Sequence, residues 1–200
     1  MTFPGSARAR GALAGALLAV LVTGCGTGST EAEAAPTAPT SSSPAAPVAG
    51  ATTAAPVRLL VPDIGVDTDL MELGLQTDGS LEVPPTGFPA GWFTGAPMPG
   101  AIGPAVMAGH VDWAGEPGVF YDLRELEPAD LITVARADGS AVVFAVTSVE
   151  QFAKDDFPTD AVYGDLDHPG LRLITCGGSF DPAERSYSDN IVVFADLVPA

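Results

Sequence analysis

Leu131-Ile132-Thr133-Val134-Ala135-Arg136-Ala137-Asp138-Gly139-Ser140-Ala141-Val142-Val143-Phe144-Ala145-Val146-Thr147-Ser148-Val149 is the stretch on which the reading of the fold turns. Two runs rich in β-branched and other strand-forming side chains, 131–135 and 141–149, flank Ala137-Asp138-Gly139. Asp-Gly between such runs is a strong hairpin signal, because the tight turn needs positive φ and glycine supplies it without steric cost.

The same grammar continues on both sides. Upstream, Val57 to Val61 is strand-like, and Pro62 to Asp67 supplies a turn and a second short strand. Leu70 to Leu75 and Leu81 to Val83 flank Thr77-Asp78-Gly79-Ser80 and predict a further hairpin, while Ala105 to Ala108 is a small apolar strand running into Gly109-His110. Downstream, Leu171 to Thr175 and Ile191 to Leu197 complete the set. Helical periodicity is poor, since Pro or Gly interrupts most windows, and only Val119 to Leu126 and Thr159 to Tyr163 predict short helical turns. About eight short strands separated by turn residues predict an all-β fold, a closed eight-stranded β-barrel.

The amino-terminal part is built differently. Arg8 and Arg10 precede a short apolar run of small residues, Gly11 to Val22, which reads as a secretory signal. The run is short for a bilayer span, which takes roughly 20 apolar residues. It ends in Val22-Thr23-Gly24-Cys25, which resembles the bacterial lipobox, so residues 1–25 predict a lipoprotein-type signal peptide with Cys25 as the lipidated residue. Residues 26–55 are Ala, Thr, Ser, Pro and Gly with two glutamates, too poor in large apolar groups to offset the entropy of ordering. They predict a tether of about 30 Å root-mean-square reach, leaving residues 56–200 as the folded domain. The expected location is the outer face of the cell membrane.

Charge and thiol count narrow the function. The chain carries 8 Lys and Arg against 25 Asp and Glu, a formal charge of −17. All the acids fall after residue 25, so the body repels nucleic acid and makes every cation it retains worth questioning. With Cys25 taken by the anchor, Cys176 is the one free thiol of the exported part. An unpaired thiol in an oxidising compartment is a liability unless it does chemistry, the bland alternative being a buried inert cysteine.

Cys176 follows Leu171-Arg172-Leu173-Ile174-Thr175 and precedes Gly177-Gly178, which predicts a thiol at a strand end, open to a substrate backbone. Strand alternation puts Arg172, Ile174 and Cys176 on one face. Glycines at such a place leave backbone amides free to face a developing oxyanion. Of the two histidines, His168 lies before Pro169-Gly170 in what reads as an exposed loop, whereas His110 stands at a strand end. A thiol ionises near 8.5 by itself, and a thiolate–imidazolium pair of Cys176 and His110 would activate the nucleophile and supply a general acid.

Ala105-Val106-Met107-Ala108-Gly109-His110-Val111-Asp112 resembles the histidine motif of sortases, and Leu173-Ile174-Thr175-Cys176 resembles their cysteine motif. Gly177-Gly178-Ser179-Phe180-Asp181 with Tyr187-Ser188-Asp189-Asn190-Ile191-Val192-Val193 is similar to class F sortases of high-GC Gram-positive bacteria. So are Arg58 to Asp67, Tyr121-Asp122-Leu123, Phe157-Pro158 and Val162-Tyr163-Gly164. The likeness covers essentially all of 56–200. It implies an eight-stranded barrel and a cysteine transpeptidase that cleaves a Leu-Pro-x-Thr-Gly type sorting signal through a thioester. It also implies transfer of the acyl group to an amine acceptor such as a peptidoglycan precursor.

The family's third catalytic residue is an arginine at the start of the last strand, and here this chain departs from the pattern: Ser188-Asp189-Asn190 holds none. Arg185, a few residues earlier, is the candidate for the oxyanion, with Arg172 as the weaker alternative. Thr175, Gly177 and Asn190 are further candidates for the oxyanion and substrate groove, and Trp92, Phe93 and Trp113 are aromatic side chains for groove or core.

Other classes fit less well. Papain-like peptidases place cysteine before histidine, the Ser-His-Gly-Cys run of other cell-wall transpeptidases is absent, and 56–200 is short for the two barrels of a chymotrypsin-like protease. One free thiol and two separated histidines make no zinc cluster, and Asp155-Asp156 reads as solvated surface, so no metal or cofactor is expected. The competing non-enzyme reading is a catalytically impaired, lipid-anchored binding barrel.

Overall fold

The computed structural model describes residues 54–199. The signal segment, Cys25 and nearly all of the tether lie outside the described residues. The first strand, β1 (Pro56–Val61), pairs antiparallel with β2 (Val66–Leu73) after a 3-10 turn at Pro62–Ile64. β3 (Ala90–Phe93) lies parallel to β2 and antiparallel to β4 (Gly103–Ala108). Two short strands, β5 (Asp112–Trp113) and β6 (Glu116–Pro117), form a separate ribbon. β7 (Leu131–Arg136) and β8 (Ala141–Ala153) are the hairpin expected around Asp138-Gly139. A five-residue helix, α1 (Thr159–Tyr163), precedes β9 (Pro169–Asp181) and β10 (Ser186–Leu197).

Laid side by side, the strands run β1-β2-β3-β4-β9-β10-β8-β7, and β7 pairs with β1 to close the barrel. Closure removes the unpaired strand edges that an open sheet would present. The all-β, eight-stranded expectation holds.

Three local expectations change. The second short strand and 70–75 merge into the continuous β2, and the hairpin expected with 81–83 shrinks to a single bridge between Leu75 and Leu81. The turn itself forms: Gln76 N donates to Ser80 O and Gly79 N to Gln76 O. β3 was not expected, being four residues that include a glycine, closely preceded by a proline; its partners, not its composition, make it a strand. Helical structure within 119–126 is confined to a 3-10 turn at Leu123–Glu125.

The barrel interior follows the two-residue alternation of its strands. Ala105 and Met107 of β4, Leu171 and Leu173 of β9, and Val193 and Ala195 of β10 point inward beside Ile132, Val134, Phe144 and Val146. The alternate residues Val106, Ile174 and Val192 point outward, yet they too are buried, beneath Val162 of α1 and the rings of Phe93, Phe152, Phe157 and Phe194. This wall is therefore covered on both faces, and every residue from Leu171 to Thr175 is buried, Arg172 and Thr175 included. Cys176, two residues beyond Ile174, lies on the outer face where that cover ends.

Candidate active site

The strand that carries Cys176 is longer than its sequence predicted. Cys176 sits inside the thirteen-residue β9 rather than at its end, half-buried, with Asn190 of β10 as its cross-strand partner. β9 continues because Gly178 adopts φ +75° and the ladder slips there: Tyr187 pairs with Phe180, and Asp189 pairs with Gly177. A Cβ at Gly178 would collide with Ser188 and Asp189, so this bulge is reserved for glycine on grounds of both conformation and space. The bulge carries the last turn of the hairpin out over the groove, where Phe180 stacks against Tyr187 with ring centroids 5.1 Å apart.

Gly177, a candidate for the oxyanion and substrate groove, sits in the strand ladder. It is buried in the ladder opposite Asp189 and does not line the groove. The constraint it answers is packing, since the space above its Cα is filled by Ile191.

The histidine is held from several sides. β4 and β9 are parallel, with Ala108 beside Ile174, and their pairing continues one residue past β4 through Gly109 N donating to Ile174 O at 3.1 Å. Thr175 then donates its Oγ1 to Gly109 O at 2.8 Å. Thr175, immediately before the cysteine, is thus tied to Gly109, immediately before the histidine. Beyond His110 the chain folds back, with Phe120 N donating to His110 O and Gly118 N to Val111 O. A side chain at Gly118 would strike the His110 carbonyl, so glycine permits this close return.

The imidazole is half-buried, tilted against Trp113 at 4.8 Å between centroids, and its Nε2 lies 2.7 Å from Pro84 O. A carbonyl oxygen can only accept, so Nε2 carries the hydrogen, and Nδ1 is the nitrogen left to give or take a proton.

Cys176 and His110 open onto one groove of about 1030 Å³, with Thr175, Asn190 and Arg185 also on its walls. Phe93 and Trp113 line it too, whereas Trp92 is buried in the core. Arg185 occupies the turn between β9 and β10 in a left-handed conformation, φ +51°. Arg172 is elsewhere: 5% exposed, with its guanidinium 4.5 Å over the Phe194 ring and its Nε without a partner. Burial pushes its pKa below the ordinary guanidinium value, the partial offset being the charge of Asp196.

The sequence did not single out three polar groups of this groove for a role. Lys154, in the 3-10 turn that follows β8, places Nζ 3.7 Å from Cys176 Sγ and 3.0 Å from Ser186 Oγ. Tyr187 donates its hydroxyl to Asp112 Oδ2 at 2.5 Å, and this hydrogen bond is the main reason its pKa is pushed up to about 12. The bond joins β5 to β10 and occupies the only carboxylate among the described residues of the groove wall. His110, Lys154 and Arg185 therefore line one groove with the thiol, within a strongly acidic chain. A lone lysine in so acidic a sequence was the available signal for Lys154, but its contact depends on strand register.

A closed barrel with a thiol on its outer wall, beside a histidine ending the adjacent parallel strand, defines a class of cysteine-nucleophile enzyme. The sortase domain model matches residues 59–198, and the chain belongs to the sortase family, whose members are cysteine transpeptidases. Among solved structures the fold is similar to a lid mutant of sortase A from Corynebacterium diphtheriae, at 20% identity and TM-score 0.58 over 72% of this chain and 70% of that one. It is also similar to sortase C-1 from Actinomyces oris, at 21% identity and TM-score 0.57 over 72% and 74%. Sortase C1 from Streptococcus agalactiae aligns at 18% identity and TM-score 0.57 over 72% and 67%. No curated protein matches the chain.

Proposed function

We propose that this protein cleaves a Leu-Pro-x-Thr-Gly type sorting signal and transfers the released acyl group to an amine of the cell wall, as a class F-like sortase. The observation that carries the proposal is the shared groove of Cys176 and His110, whose strands are tied by the Thr175–Gly109 hydrogen bond. The groove is largely apolar, with Val83, Phe93, Phe157 and Ile174 on its walls, which suits the Leu-Pro part of such a signal.

In the proposed reaction the Cys176 thiolate attacks the Thr carbonyl carbon, and a C–S bond forms as the electron pair moves onto oxygen. Arg185 and the Asn190 side chain stabilise that oxyanion. Its collapse expels the glycine amine, which takes a proton from His110 Nδ1. The neutral imidazole then accepts a proton from the incoming amine as that amine displaces sulfur. In keeping with the lipobox-like run ending at Cys25, the enzyme is tethered by lipid to the outer face of the membrane.

Incubation with a Leu-Pro-x-Thr-Gly peptide should give a mass increase on Cys176 equal to the acyl fragment, lost on adding an amine such as triglycine. Cys176→Ala should give none, and His110→Ala should lose turnover with the barrel still folded. Failure of wild type to form the adduct with any peptide of this type would favour the binding-barrel reading. Fatty-acid labelling that tags Cys25→Ser as strongly as wild type would refute the anchor.

A further inference from the structure

The cation in contact with the nucleophile is a lysine. Nζ of Lys154 is 3.7 Å from Cys176 Sγ, within reach of a charge-assisted N–H···S contact, and its second partner is the neutral Ser186 hydroxyl. Asp155 and Asp156 follow it directly, yet none of the four ion pairs found among the described residues includes Lys154. In a chain with 25 carboxylates, an ammonium that turns to a thiol and a hydroxyl instead is held for them.

The sheet explains how it gets there. β10 lies between β8 and β9, with Ala153 of β8 opposite Asp189 and Asn190 opposite Cys176. Lys154 therefore enters from the far side of β10 and reaches across it to the sulfur. Ser186 of β10 has a short side chain and binds the ammonium on its way. No arginine occupies this stretch of β10 to compete for the place.

We propose that Lys154 is a catalytic residue of this enzyme, its ammonium pairing with the negative charge on Cys176 sulfur before attack. The division of labour rests on the transpeptidase reading above: Lys154 acts at sulfur, and Arg185 acts at the carbonyl oxygen that receives the charge. The titratable groups that line the groove with the sulfur are His110 after β4, Asp112 and Tyr187 joined to each other, Tyr163 of α1, Arg185 in the turn, and Lys154. Of these, Lys154 is the one fixed charge in contact with Sγ.

The test is the rate of Cys176 alkylation by iodoacetamide at neutral pH, in the folded protein without peptide, for wild type and for Lys154→Arg, Lys154→Met and Lys154→Glu. Lys154 is exposed, so the expected size is that of a partly screened ion pair. Lys154→Met should react about twofold to fivefold more slowly than wild type, and Lys154→Glu more slowly again. Lys154→Arg should stay near wild type. Added salt should slow wild type relative to Lys154→Met, a difference that a packing role would not produce. Equal rates across the series, or a loss in Lys154→Arg as large as in Lys154→Met, would overturn the proposal. Because this assay uses no peptide, an enzyme that forms no thioester would refute the transpeptidase reading while the alkylation series still judged Lys154.

Discussion

Replacing Thr175 by Val isolates the tie between the two halves of the proposed catalytic pair, Cys176 and His110. Both side chains are β-branched and nearly the same shape, so the change removes one hydroxyl and little else. Thr175 is 4% exposed, and its Oγ1 donates to Gly109 O at 2.8 Å. Removing a buried donor and leaving its acceptor without that partner costs about 1–3 kcal/mol. For a domain of this size that is roughly 2–4 °C of Tm per kcal/mol, or roughly 2–12 °C in all. The carbonyl released belongs to the residue before His110, so the imidazole loses part of its placement relative to Cys176. A displacement of about 1 Å can cost up to a hundredfold in rate, and a fall in kcat of about tenfold or more is expected. Calorimetry and a fluorogenic sorting-peptide assay on Thr175→Val and Thr175→Ser measure the two effects separately. Thr175→Ser keeps the hydroxyl and should recover most of both. If Thr175→Val matches wild type in Tm and kcat, or if Thr175→Ser is as damaged as Thr175→Val, the hydrogen bond does not position the histidine.

Further outcomes follow from the cations, the tyrosine and the second histidine. Arg185→Ala should lose about a hundredfold to a thousandfold in kcat, and Arg185→Lys should recover little because the planar fork is gone. Arg172→Leu should keep kcat within a few-fold, since Arg172 lies under Phe194 away from the groove and leaves Nε unpartnered; an inactive but folded Arg172→Leu would contradict that placement. In Asp112→Asn the Tyr187 hydroxyl loses its carboxylate acceptor, so an ultraviolet titration should show it falling from about 12 toward the ordinary 10.0. His168 bonds Asp167 and Asp196 through its two ring nitrogens, and these carboxylates, Asp167 first, raise its pKa above 6.5. A raised histidine stabilises the fold below its unfolded value, and that contribution is lost as pH rises through the folded one. His168→Gln should therefore lower Tm at about pH 5.5 and leave it unchanged at about pH 8.5; a difference that persists at the higher pH would exclude the ionic origin.

The features legible in the sequence were those written in neighbouring residues. Strand-forming runs on either side of Asp138-Gly139 yield a hairpin whatever surrounds them, and α1 appears where Thr159 to Tyr163 was expected to turn. The thiol and the histidine could be named because each belongs to a short motif: Leu173 to Cys176, and Ala105 to Asp112. What the sequence could not convey is register, because a strand's partners are chosen by segments far away in the chain. The four residues of β3 become a strand only between β2 and β4. Cys176 is interior to β9 only because Gly178 bulges and lets β10 pair beyond it. Arg172 and Cys176 share a face as alternation requires, but the aromatic cover ends between them, so one is buried and the other meets the groove. Lys154 reaches the sulfur from the strand beyond β10, a contact between residues 22 apart that only the closed order of the barrel brings about.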